Sequence, residues 1–199
     1  MHTPFFITGL PQSRTSWLAN LFSTGGVFCY HDLLGVVENV ETFLRVLRGE
    51  SMDGRVGDSD SGLLACYGTV MQSFPGARWV LVQREFEEAW NSLCQFVAAG
   101  DWQQKLSCTW ELHEEMARVW EQASKAMVQD PRCMVVPYES LERTDMIEIL
   151  WKHCVPGVRF DRRRAEMLQQ LSVRPYQAKA PIRPALELVK DLWPSSQAS

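Results

Sequence analysis

Ser13, Arg14, Thr15 and Ser16 place three hydroxyls and one guanidinium in a row, directly after the apolar run PFFIT (4–8) and the turn-forming GLPQ (9–12). The run predicts a buried strand, and Thr15 to Ser23 predicts a helix. Where a chain leaves a strand and enters a helix, the first helical N–H groups lack partners and the helix dipole adds partial positive charge, so the junction attracts anions. Against the nucleotide-binding pattern GxxxxGK[ST], GLPQSRTS keeps Gly9 and Ser16 but has Arg14 at the second Gly and Thr15 at the Lys, so it is not that loop. Taken alone, the stretch fits equally a helix start with Ser13 as its cap and Arg14 in solvent.

Two further places carry groups of the same kind. Arg84 closes the apolar run RWVLVQ (78–83), and Ser92 follows eight residues later in a predicted helix. A guanidinium there offers a planar fork of charge-assisted donors suited to a terminal phosphate. The alternatives are an ion pair of Arg84 with Glu85, Glu87 or Glu88, and a Ser92 hydroxyl bonded back to its own helix. His31 and Asp32 stand at the end of a third run, GVFCYH (26–31), where parallel sheets present functional groups. An imidazole titrates near neutrality and suits a general base, with Asp32 orienting it or acting itself; Asp32 could instead cap the next helix. Asp58, Ser59 and Asp60 in VGDSDSG are read as caps for a helix starting near 62. His2, His113 and His153 receive no role.

Five short β-type runs, 4–8, 26–31, 55–58, 78–83 and 133–138, alternate with helical patterns, which predicts one α/β domain with a mostly parallel central sheet flanked by helices. Unbroken apolar runs are expected where such a sheet is covered on both faces. Helices are expected over 15–23, 35–48, 62–73, 85–98, 102–128, 145–153 and 161–171. In the longest, Leu106, Trp110, Ala117, Trp120 and Met127 form the expected core stripe, widened by Leu112, Met116, Val119 and Ala123. The single domain is expected to span 1–199, with a Pro-punctuated tail, 173–199, on or near the site.

In order and spacing, residues 5–155 resemble the sulfotransferases that use 3'-phosphoadenosine 5'-phosphosulfate (PAPS), in particular small members of the bacterial or phage type. That family's loop is G-x-P-[RK]-S-G-T-[ST]-W, matched here by GLPQSRTSW. FPGARWVLVQRE is similar to its approach to the 3'-phosphate arginine, and VVPYESLERTD to its late strand and Y-E-x-L turn. The resemblance implies a P-loop NTPase-like sulfotransferase fold. It implies that Gly9, Pro11, Gln12, Ser13, Arg14, Thr15 and Ser16 cradle the 5'-phosphosulfate, and that Arg84 and Ser92 bind the 3'-phosphate. His31 or Asp32 would be the catalytic base. Three positions depart from the pattern: Gln12 stands where the family has a basic residue, Arg14 where it has glycine, and Phe86 where it has proline. Arg14 is therefore expected to face the phosphosulfate and supply the charge that Gln12 lacks. Arg174, Lys179 and Arg183 lie where the family often closes a basic segment over the nucleotide.

Composition sets the limits. The chain has 199 residues, 46% hydrophobic and 22% charged, with eight tryptophans, which is enough for one buried core. A net charge of −4 argues against a general grip on nucleic acid or on an anionic membrane. Six cysteines without a CxxC pair fit reduced thiols better than a zinc site or a disulfide framework, and no metal is expected. MHTPFFITG has neither the basic segment nor the apolar segment of a secretion signal, so a cytoplasmic location is expected. The expected partner is a small-molecule, saccharide or peptide acceptor. Three functions remain: a PAPS-dependent sulfotransferase, a protein that binds PAPS or its product adenosine 3',5'-bisphosphate (PAP) without catalysis, and a P-loop kinase-like phosphotransferase, the last disfavoured by the missing Walker lysine.

Overall fold

In the computed structural model, which describes residues 3–99 and 108–170, five strands form one all-parallel sheet: β1 (Phe5–Gly9), β2 (Val27–His31), β3 (Arg55–Ser59), β4 (Arg78–Gln83) and β5 (Cys133–Pro137). The strand order is β2-β3-β1-β4-β5. The order reverses at β1, and sheets of this kind usually take ligands outside the carboxyl ends of the strands at such a point.

The helices are α1 (Thr15–Phe22), α2 (Leu33–Val36), α3 (Val40–Asp53), α4 (Leu63–Ser73), α5 (Phe86–Ala99), α6 (Trp110–Val128), α7 (Thr144–Cys154) and α8 (Arg162–Gln170), with a 3-10 turn at Tyr138–Glu142. Period-two alternation sends Phe5, Ile7, Val80 and Val82 to one face of the sheet, where they meet Leu18, Phe22, Leu150, Trp151 and Leu168 of α1, α7 and α8. Phe6, Trp79 and Leu81 face the other side, against Phe43, Leu47, Val70, Ala123 and Met127 of α3, α4 and α6. This two-sided covering makes the strands apolar runs and brings their carboxyl ends together.

Two helix expectations are corrected. Residues 35–48 do not form one helix: α2 ends at Val36, and α3 starts afresh where the Asn39 side chain accepts from Thr42 N at 2.9 Å. The long helix α6 starts at Trp110, after a non-helical Thr109; residues 102–107, and with them Leu106 of the expected stripe, lie outside the described residues. The Thr109 side chain caps α6 by accepting from Leu112 N at 3.3 Å. Trp110, expected in the core stripe, is 67% exposed and stacks on His113; the buried stripe is Leu112, Val119, Ala123 and Met127. A first-turn residue projects past the end of the layer it was expected to join. Among the described residues no helix is long and apolar enough to cross a membrane. The tail, 173–199, and with it Arg174, Lys179 and Arg183, lies outside the described residues.

Candidate functional site

The loop from β1 to α1 is tight and strained. Ser13 N donates to the Leu10 carbonyl at 3.2 Å, and Gln12 (φ 65°) and Arg14 (φ 62°) both take the left-handed conformation. For residues other than glycine this costs roughly 1–3 kcal/mol each, and such strain concentrates at ligand sites. Backbone N–H groups in turns of this kind form concave anion sites. Gly9 permits the close approach of β4: a Cβ there would lie 2.7 Å from the Val82 carbonyl oxygen. Arg14 occupies the N-cap position of α1 with no side-chain cap, so Ser13 is not the cap. The Ser13 hydroxyl is instead buried and, among the described residues, has no hydrogen-bond partner. Pro11, Gln12 and Ser16 line the same turn, each half-buried.

Arg84 turns into this loop. Its Nη1 donates to the Gln12 carbonyl at 2.8 Å, its guanidinium lies 4.5 Å from the Tyr138 ring centre, and its Nε is buried without a partner among the described residues. The neighbouring acids are engaged elsewhere: Glu85 accepts from Glu88 N at 2.8 Å at the start of α5, and Glu87 meets His113 Nε2 at 3.1 Å. Arg14 reaches the same Tyr138 ring at 5.1 Å and pairs with Glu142 at 3.1 Å. Ser92 stands half-buried two turns into α5, and no hydrogen bond joins it to Arg84 among the described residues.

On the other side of the loop, His31 shares the face of Val27 and Cys29, which pack toward α1. Its Nε2 lies 2.9 Å from Ser16 Oγ, 3.5 Å from Thr15 Oγ1 and 3.3 Å from Asp32 Oδ2. Burial pushes the imidazole below its ordinary value, with Asp60 acting in the opposite sense. Burial also raises Asp32, whose side chain is 30% exposed, to about 7. Both shifts favour the neutral forms, leaving an imidazole able to accept a proton at neutral pH.

Of the three residues read as caps for a helix near 62, only Asp60 reaches its start; Asp58 and Ser59 are engaged elsewhere. Asp58 and Asp60 are both buried. Asp60 accepts from Gly62 N at 2.6 Å and from Leu34 N at 3.2 Å, and Asp58 accepts from Leu33 N at 3.4 Å. They hold α2, so Asp32, in the left-handed conformation at its N-cap position, caps nothing with its side chain. Burial raises Asp60 to about 7, reinforced by Asp32, and raises Asp58 well above its ordinary range, reinforced by Asp60 and Asp32. Alternation in VGDSDSG could have flagged these carboxyls, since residues 58 and 60 must share the inward face of Val56. Ser59 donates to the Thr15 carbonyl at 2.9 Å, tying β3 to α1. Among the described residues no group of His, Cys, Asp and Glu is disposed to hold a metal ion.

No protein-family model and no curated protein sequence matches this chain. Among solved structures it is similar to the mouse sulfotransferase SULT7A1 complexed with PAP, with 13% identity and a TM-score of 0.56, over 84% of this chain and 64% of that one. At that identity the likeness establishes the fold alone. The described domain has the sulfotransferase-type, P-loop-like α/β fold and spans somewhat under two thirds of the length of that structure.

Proposed function

We propose that the protein is a sulfotransferase that moves a sulfuryl group from PAPS to a hydroxyl or amine of an acceptor. The observation that carries this is the convergence of Arg84 from the end of β4 on the strained loop after β1, with Ser13 Oγ and Arg84 Nε both buried and lacking partners among the described residues. Buried donors in that condition are costly unless a ligand satisfies them, and their chemistry calls for oxyanions. The PAP complex of SULT7A1, on the same fold, names a nucleotide of fitting chemistry.

Bound PAPS would supply an activated sulfuryl group on an anhydride to phosphate. The loop N–H groups with the hydroxyls of Ser13, Thr15 and Ser16 hold its anionic end, and Arg84, with Ser92 on α5, takes the second phosphate. Arg14 places positive charge beside the loop in place of the absent basic side chain at Gln12, offsetting negative charge that grows on the leaving oxygen. His31, whose ring lies against Ser16 and Asp32, takes the acceptor's proton, and Asp32 orients the ring.

The alternative, a PAP or PAPS binder without catalysis, is favoured by one feature: Arg14, the cation that would replace Gln12's missing charge, is engaged by Glu142. Transfer of labelled sulfate from PAPS to a panel of hydroxyl and amine acceptors decides between them. Transfer abolished in His31→Ala supports the enzyme; PAP binding with no transfer to any acceptor supports the binder. Tight, Mg-dependent ATP binding with indifference to PAP would overturn both.

A further inference from the structure

Two guanidinium groups from different parts of the chain converge on one aromatic ring. Arg84 lies 4.5 Å and Arg14 5.1 Å from the centre of Tyr138. The ring is placed by the fold rather than by the arginines. Pro137, with φ fixed at −59°, leads from β5 into the 3-10 turn, Leu141 anchors that turn in the core, and Tyr138 itself packs against the same core cluster. We propose that Tyr138 is a positioning residue. Its ring holds the Arg14 and Arg84 guanidiniums together, so the site selects a nucleotide with two separate anionic groups over one with a single phosphate. The choice of ligand rests on the donor-site reading above; the positioning of the arginines does not.

The other restraints on these side chains are uneven. Among the described residues Arg84 has one hydrogen bond, to the Gln12 carbonyl, and a single contact of this kind fixes one nitrogen but not the plane of the group. Arg14 has an ion pair with Glu142, whose side chain is 71% exposed, and an exposed pair of this kind restrains little. Stacking on an aromatic face supplies what both lack, because a guanidinium is planar, weakly hydrated and attracted to the negative face of the ring. Bringing two like charges to one ring also raises their mutual repulsion. That repulsion is relieved when anions occupy both, which is the basis of the selectivity.

The test compares wild type with Tyr138→Phe, which keeps the ring face, and Tyr138→Leu, which removes it, with Tyr138→Met as a second ring-free variant should the leucine form fail to fold. Two quantities are read: the side-chain Nε–H resonance of Arg84 by ¹H–¹⁵N NMR, and the ratio of calorimetric affinities for PAP and 5'-AMP. In wild type and the phenylalanine form, the Arg84 resonance is displaced by the ring current and PAP is preferred. In the ring-free forms the ring-current displacement is lost and the preference for PAP falls roughly tenfold. An Arg84 resonance unchanged by loss of the ring overturns the proposal. So do equal losses for PAP and 5'-AMP, the pattern of a general nucleoside contact or of a merely structural residue. If wild type binds no PAP yet its displaced Arg84 resonance is lost with the ring, the donor-site reading fails while the positioning role stands.

Discussion

Replacing Asp60 with asparagine should change how stability depends on pH, and the sign follows from the burial of the carboxyl. Asp60 is 4% exposed and its pKa is raised from 3.8 to about 7. A carboxyl whose folded pKa lies above its unfolded value contributes stability that is fully present below the unfolded pKa and is lost as pH rises through the folded one. The window therefore runs from about pH 4 to about pH 7. At ~1.4 kcal/mol per pKa unit, a shift of this size corresponds to about 4 kcal/mol. Asp32, itself raised by burial, raises both Asp58 and Asp60, so the figure belongs to the group rather than to Asp60 alone. The substituted amide cannot titrate, but its NH2 would face Leu34 N or Gly62 N, both of which now donate to the carboxyl, at a cost of ~1–3 kcal/mol. The variant should thus be less stable than wild type near about pH 4.5, and the gap should close or reverse by about pH 8. Urea unfolding followed by tryptophan fluorescence suits this, since Trp79 and Trp151 are fully buried. A stability difference that stays constant across that range would refute the claim that burial keeps these carboxyls neutral.

Gly9→Ala should lower stability by ~1–3 kcal/mol and weaken PAP binding, because the added methyl meets the Val82 carbonyl at 2.7 Å and backbone, not a side chain, must move; thermal melts and calorimetry read the two effects. Thr109→Ala should cost about 1 kcal/mol in urea unfolding while leaving PAP affinity unchanged, since it removes the cap on Leu112 N and nothing at the loop. In a transfer assay the acid limb of kcat/KM should have its midpoint below 6.5, because burial lowers His31, and the limb should vanish in His31→Ala along with most of the activity.

The sheet was legible because strands covered on both faces become unbroken apolar runs, as in PFFIT and RWVLVQ. RVGD was fainter for a physical reason: Asp58 and Ser59 are polar yet fully buried, and Gly57 is small because the Phe5 ring lies against it. The break before α3 was missed because Asn39 sits in a window whose apolar period continues through it, and only its side-chain bond to Thr42 N shows the restart. At the site, the loop and the arginine were each visible as motif-like stretches. What the sequence does not carry is their meeting: Arg84 reaches a carbonyl 72 positions away, and Glu142 lies 128 positions from Arg14. Such contacts are set by strand order, which no local period encodes.

We propose that the turn after β1 and Arg84 together form one site for a nucleotide bearing two phosphate groups. Calorimetric titration of PAP into wild type and Arg84→Ala tests it most directly. Binding by wild type that weakens roughly thirtyfold or more in the variant is the predicted result, since a charged donor to a partly buried phosphate is removed. Absence of PAP binding in wild type, or equal affinity in the variant, would contradict it.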